Sequence, residues 1–112
     1  MMKYPLDNNV CSTLIQLYSQ CDDIQSAKSV FSECINRDVG VFNSMIQALR
    51  HHSQPQEAIN LFYEMIEEGI TPNNISFVCI LSACCDLKSI DQGISIKYKI
   101  VESSFTFKFT LI

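Results

Sequence analysis

The sequence predicts an all-α protein, a right-handed α-α superhelix (solenoid) of about three helix-turn-helix repeats. Two observations predict it. First, apolar residues recur at helical spacing, as in Val41, Phe42, Met45, Ile46 and Leu49, which keeps one side of each helix apolar. Second, the pattern repeats along the chain. A shift of 31 residues aligns Leu14 with Met45, Ile15 with Ile46, Ala27 with Ala58, Val30 with Leu61, Phe31 with Phe62 and Cys34 with Met65. A further shift of 35 carries Met45 to Ile80, Ile46 to Leu81, Ala58 to Gly93, Leu61 to Ile96 and Met65 to Ile100. A helical hairpin with one apolar face cannot cover that face alone, so neighbouring hairpins stack.

The first unit spans about residues 8–38. Asn8 or Asn9 can cap a helix carrying Val10, Cys11, Leu14, Ile15, Leu17 and Tyr18. Asp22-Asp23 breaks it and sets negative charge at the start of the next helix, where the dipole favours it. That helix is expected to bury Ile24, Ala27, Val30, Phe31, Cys34 and Ile35.

Asp38 can cap the first helix of the second unit, residues 39–73. Ser53 and Gln56 have the spacing of a capping box, and Pro55 suits a first helical turn. The second helix carries Ala58, Ile59, Leu61, Phe62, Met65 and Ile66, and Gly69 followed by Pro72 is a helix stop.

The third unit spans about residues 74–109. Its first helix carries Ile75, Phe77, Val78, Ile80, Leu81 and Cys84. Ser89 and Gln92 repeat the capping-box spacing before a helix carrying Ile90, Gly93, Ile94, Ile96, Ile100 and Val101, which is expected to end near Ser103-Ser104. The tail FTFKFTLI alternates and is rich in β-formers. Alone it reads as a strand; otherwise it is the start of a fourth unit or the product of a misread gene boundary. Small residues Ala27, Ala58 and Gly93 recur at one place in each second helix, where close axis approach would require them.

Composition narrows the function. The 112 residues are 47% apolar, enough for a core, and the net charge of −4 argues against a strong nonspecific polyanion binder. No apolar run is long enough to cross a bilayer, and the N-terminus MMKYPLDNN resembles neither a secretory signal nor a transit peptide. The six cysteines, Cys11, Cys21, Cys34, Cys79, Cys84 and Cys85, include no C-x-x-C pair; most sit in helical patterns and read as reduced, buried thiols. The adjacent His51 and His52 point apart and chelate poorly. There is no nucleophile motif, and three glycines form no phosphate-cradling loop.

The stretches STLIQLYSQCDDIQSAKSVF, VFNSMIQAL…QEAINLFYEMIEEGITPN and ISFVCILSACCDLKSIDQGISI resemble the short, standard and long units of pentatricopeptide repeat proteins of the mixed-length subclass. The resemblance covers about residues 8–101, and residues 1–7 would be the tail of a preceding long unit. The tetratricopeptide class fits less well: its period is 34, and this chain has neither Trp nor Leu-Gly.

The resemblance implies a non-enzymatic module that binds single-stranded RNA, one base per repeat, in organellar RNA processing or editing. It implies residence in a mitochondrion or plastid, other RNA-processing proteins as further partners, and no cofactor, metal, membrane or small-molecule substrate. Members of the subclass often end in a deaminase domain, whose H-x-E and C-x-x-C signature is absent here.

Carried over by position, the base-reading residues are Ser12 with Asp38, Asn43 with Asn73, and Val78. Ser12 with Asp38 is similar to the pairing that favours guanine, and Asn43 with Asn73 to one that favours pyrimidines, cytosine foremost. Val78 cannot hydrogen-bond and would mainly hold spacing. Taken without the resemblance, Ser12 and Asn43 are polar residues on a solvated helix face. Cys11, Phe42 and Phe77, next to the reading positions, either stack on bases or belong to the core. Arg50, Lys88, Lys97 and Lys99 can face phosphate, but acids outnumber bases, so RNA binding by this chain should be weak. The competing functions are a protein-interaction scaffold of the helical-repeat type and a repeat fragment without function.

Overall fold

A computed structural model describes the backbone of residues 7–111 and the side chains of residues 7–100. Six helices follow in order: α1 (Asn8–Gln20), α2 (Ile24–Glu33), α3 (Val39–His51), α4 (Pro55–Glu67), α5 (Asn74–Leu87) and α6 (Ile90–Leu111). There is no strand among the described residues. The helices form three hairpins. The first helices line up as one layer, α1 on α3 and α3 on α5, while α2 and α4 each pack against the first helices on either side of them. This is an all-α solenoid of about three repeats.

The core runs through the junctions between hairpins. Phe42, Phe62, Ile15, Met45, Ile46, Ile59, Met65, Ile80 and Ile96 are fully buried, on the apolar stripes the periodicity marks. Stacking decides which equivalent positions are covered. Val41 and Ala48 on α3 are 0% and 2% exposed, while their counterparts on α1, Val10 and Leu17, are 43% and 51% exposed. Lys28 to Glu57 (3.3 Å) and Arg37 to Glu68 (3.6 Å) tie the first hairpin to α4 at the surface, where such pairs contribute little to stability.

Several local expectations are corrected. Asp7, rather than Asn8 or Asn9, caps α1, accepting from Val10 N at 2.8 Å. α2 ends at Glu33, and Cys34 turns extended, so Ile35 leaves the apolar stripe and stands 88% exposed. Ser53 and Gln56 form no capping box. The residue before a proline is disfavoured in helical geometry, so Gln54 cannot be the first helical residue and α4 starts at Pro55. Ser53 instead takes a left-handed conformation at φ 60°. Ser89 supplies half a box, accepting from Gln92 N at 3.4 Å.

The backbone of α6 continues past Ser103-Ser104 to Leu111, so the tail is helical and not a strand. Extending an existing helix needs no new nucleus, and a lone strand has no ladder partner. The side chains of the tail and of Val101, and residues 1–6, lie outside the described residues. Gly93 marks no close approach: a methyl built there meets no atom within 4 Å, because no further hairpin stands against α6 among the described residues.

Candidate nucleic-acid interface

The three first helices begin in the same way. An acid or amide at the N-cap turns its side chain onto the third backbone N–H of the helix, which has no partner inside it. Asp7 accepts from Val10 N at 2.8 Å, Asp38 from Val41 N at 2.9 Å and Asn73 from Ser76 N at 3.0 Å. Asp38 and Asn73 are the two expected end-of-unit reading residues. Each is therefore bound into a helix start before it meets any ligand.

The structure brings Asn43 and Asn73 into direct contact: Asn43 Nδ2 donates to Asn73 Oδ1 at 3.1 Å. Ser76 completes the cluster. Its hydroxyl accepts from Asn73 N at 3.1 Å and lies 2.6 Å from Asn43 Oδ1 and 3.1 Å from Asn73 Oδ1. Ser76 is fully buried, Asn43 is 7% exposed and Asn73 is exposed.

The other pair is looser. Ser12 and Asp38 face the same space beside Gly40, where a methyl would lie 3.3 Å from Asp38 Oδ1 and 3.9 Å from Ser12 Oγ. No hydrogen bond joins them directly. Val78 stands 64% exposed on α5, and Ile75, one turn earlier, is 57% exposed.

Of the flanking aromatics, Phe42 belongs to the core and Phe77 packs partly buried against it. Phe42 is fully buried, with its ring edge-on to Phe31 at 5.3 Å, so no face is open for a base to stack on. Cys11 is likewise fully buried. Phe77 is half-buried and edge-on to Phe62 at 5.9 Å. Asn43 and Phe42 are neighbours on one helix, and the turn of about 100° per residue directs them apart.

Below Asn43 the same stripe of α3 continues onto α5. Gln47 Nε2 donates to Cys79 Sγ at 3.3 Å, and Arg50 Nε donates to Asp86 Oδ2 at 2.9 Å. One hairpin earlier, Gln16 Nε2 reaches Ser44 Oγ at 3.4 Å. Reasoning from sequence missed Ser76 and the two glutamines. The legible signals were an N-cap amide followed three residues later by a hydroxyl, and Gln four residues after Ser12 and after Asn43. Of the basic residues expected to face phosphate, Arg50 is paired with Asp86. Lys88 ends α5 in a left-handed turn, and Lys97 and Lys99 lie on α6, away from Asn43 in the chain.

The arrangement presents fixed donors and acceptors. Among the described residues no group of three or more His, Cys, Asp or Glu side chains is placed to hold a metal ion, and no helix is long and apolar enough to cross a membrane.

Comparison with known proteins agrees with the repeat pattern. Residues 37–86 match the model described as PPR repeat family, and residues 10–39 match the PPR repeat. The chain is 40% identical over 92 residues to a mitochondrial pentatricopeptide repeat-containing protein of Arabidopsis thaliana, covering 82% of this chain and 10% of that protein. It is 40% identical over 94 residues to a chloroplastic one from the same plant, covering 82% of this chain and 16% of that protein. The chain thus spans a small part of the length of these relatives. With two adjacent matches to the repeat and the three stacked hairpins, the chain belongs to the pentatricopeptide repeat family.

Proposed function

We propose that this chain is a sequence-selective module for single-stranded RNA, part of a mixed-length array acting in organellar RNA processing or editing. In this reading residues 8–38, 39–73 and 74–109 are its short, standard and long units. Ser12 with Asp38 and Asn43 with Asn73 read two successive bases, G then C or U. The mitochondrial and chloroplastic names of the relatives support a mitochondrial or plastid setting.

One observation carries the reading. Asn43 and Asn73 are held in one hydrogen-bonded cluster with fixed orientation, and the Asn73 Nδ2 donor has no protein partner among the described residues. That outward nitrogen is a fixed donor for an acceptor on a base edge, while both amide oxygens already accept within the cluster.

The test is fluorescence anisotropy of the whole chain with short RNAs that vary at the two positions, at low salt. Discrimination at the second position, lost in Asn43→Val without loss of helicity, is expected. Equal affinity for all sequences would overturn base reading. The protein-scaffold alternative draws on a specific observation: the exposed pair Ile75 and Val78 sits where a third base would be read, and Arg50 is neutralised by Asp86. Absence of RNA binding at low salt would favour it.

A further inference from the structure

Resting on the base-reading function just proposed, we infer that Ser76 is a positioning residue for specificity: its hydroxyl fixes which way the Asn43 amide faces the RNA.

An asparagine at a reading position is ambiguous. Its oxygen and nitrogen ends have nearly the same shape, and a half-turn about the last side-chain bond exchanges an acceptor for a donor. Such a side chain discriminates between bases only if something else fixes it. The cluster supplies a chain of constraints that starts from the backbone. The Ser76 N–H can only donate, so the Asn73 atom 3.0 Å away is its oxygen, and the Asn73 nitrogen turns outward. The Asn43 atom 3.1 Å from that oxygen must then be Nδ2. The Asn43 oxygen is left facing the Ser76 hydroxyl at 2.6 Å.

Ser76 can hold this arrangement because its own hydrogen bonding is directed. The Asn73 N–H donates to its oxygen at 3.1 Å, which leaves the hydroxyl proton to point at an acceptor. A flipped Asn43 would bring its oxygen against the Asn73 oxygen and give up the short 2.6 Å bond from the Ser76 hydroxyl, leaving that hydroxyl only the longer contact to Asn73 Oδ1 at 3.1 Å. The junction of the first and second hairpins, where Ser12 and Asp38 meet, lacks the device. Val41 stands where Ser76 does, three residues after the N-cap, and has no hydroxyl to give. Reading by Ser12 is therefore independent of that position, whereas reading by Asn43 depends on residue 76.

The test compares the whole chain with Ser76→Ala, Ser76→Thr and Asn43→Val. Each binds four short RNAs that differ only at the base facing Asn43, and thermal unfolding is followed by circular dichroism. For Ser76→Ala, the ratio of best to worst base affinity is expected to fall by roughly three- to tenfold, the worth of one neutral hydrogen bond. Mean affinity should change much less, and Ser76→Thr, which keeps the hydroxyl, should restore the ratio. If Ser76→Ala unfolds, Ser76→Cys keeps the volume and offers only a poor donor, and the same loss of ratio is expected.

Undiminished discrimination in folded Ser76→Ala or Ser76→Cys, alongside lost discrimination in Asn43→Val, would overturn the role of Ser76 and leave base reading standing. Equal binding of all four RNAs by the unmodified chain would overturn base reading, and this inference with it.

Discussion

Asn43 and Asn73 stand thirty positions apart in the chain and share a hydrogen bond of 3.1 Å at the junction of the second and third hairpins. The same Asn73 oxygen caps α5 through Ser76 N at 3.0 Å. One atom thus joins a stability role to the proposed reading role. Substitutions at residue 73 can separate the two.

Asn73→Ala removes the cap and leaves the Asn43 nitrogen without its partner. A loss of about 1 kcal/mol is expected from the cap alone, with more from the stranded donor. Asn73→Asp keeps an acceptor for Ser76 N and for Asn43, so stability should stay near that of the native chain. Its outward nitrogen is replaced by an oxygen, so base preference should change. Thermal unfolding and RNA anisotropy on both variants check this; a shift in stability without a change of preference in Asn73→Asp would count against reading by residue 73.

Phe42 is a core residue. Phe42→Ala should cost about 3–5 kcal/mol, a large share of the stability of a small domain, and RNA binding should disappear together with helicity. Phe42→Leu retains much of the apolar volume and should cost about 1–2 kcal/mol while leaving base preference unchanged. Urea unfolding together with RNA binding makes the distinction, because a ring that stacked on a base would alter preference at equal stability.

The two glycines in the second helices' region should respond with opposite signs. Gly93 lies inside α6 with no atom within 4 Å of an added methyl. Gly93→Ala should therefore stabilise by about 0.5–1 kcal/mol, the helix-interior advantage of alanine over glycine. Gly69 sits at φ 83°, where a side chain is strained, and Gly69→Ala should destabilise by about 1 kcal/mol. Chemical denaturation midpoints give both values.

The thiols divide by exposure. Cys21 and Cys85 are exposed and should react quickly with a thiol reagent, whereas Cys11, Cys34, Cys79 and Cys84 should react only on unfolding. Burial, with a smaller contribution from the Cys34 thiol, pushes the Cys11 thiol from 9.0 up to about 12. Because the folded value lies above the unfolded one, the fold favours the neutral thiol. That contribution is complete below about pH 9 and is lost as the pH rises toward 12. Unfolding midpoints between pH 8 and 11 should therefore fall more steeply for the native chain than for Cys11→Ala.

Much of this architecture was legible because helical repeats write themselves locally. The apolar stripes of α3 and α4, the Asp38 cap and the Gly69 stop follow from spacing, side-chain volume and backbone freedom within a few residues of each other. The errors were local as well. Pro55 moved the start of α4 away from Ser53, and the end of α2 at Glu33 released Ile35. In the tail, an existing helix outweighed β-propensity.

By itself the sequence determined the all-α repeat, the register between units and which residue types recur at the proposed reading positions. Only the tertiary structure decided what those residues touch. Asn43, Asn73 and Ser76 come from two hairpins, and nothing in local spacing records that the Ser76 hydroxyl and the Asn73 oxygen both meet the Asn43 amide. Nor does periodicity reveal that Phe42 turns wholly inward while Val78 stays exposed. The physical reason is that helical period sets direction about one axis. Burial and hydrogen-bond partnership depend on which neighbouring helix stands on that side.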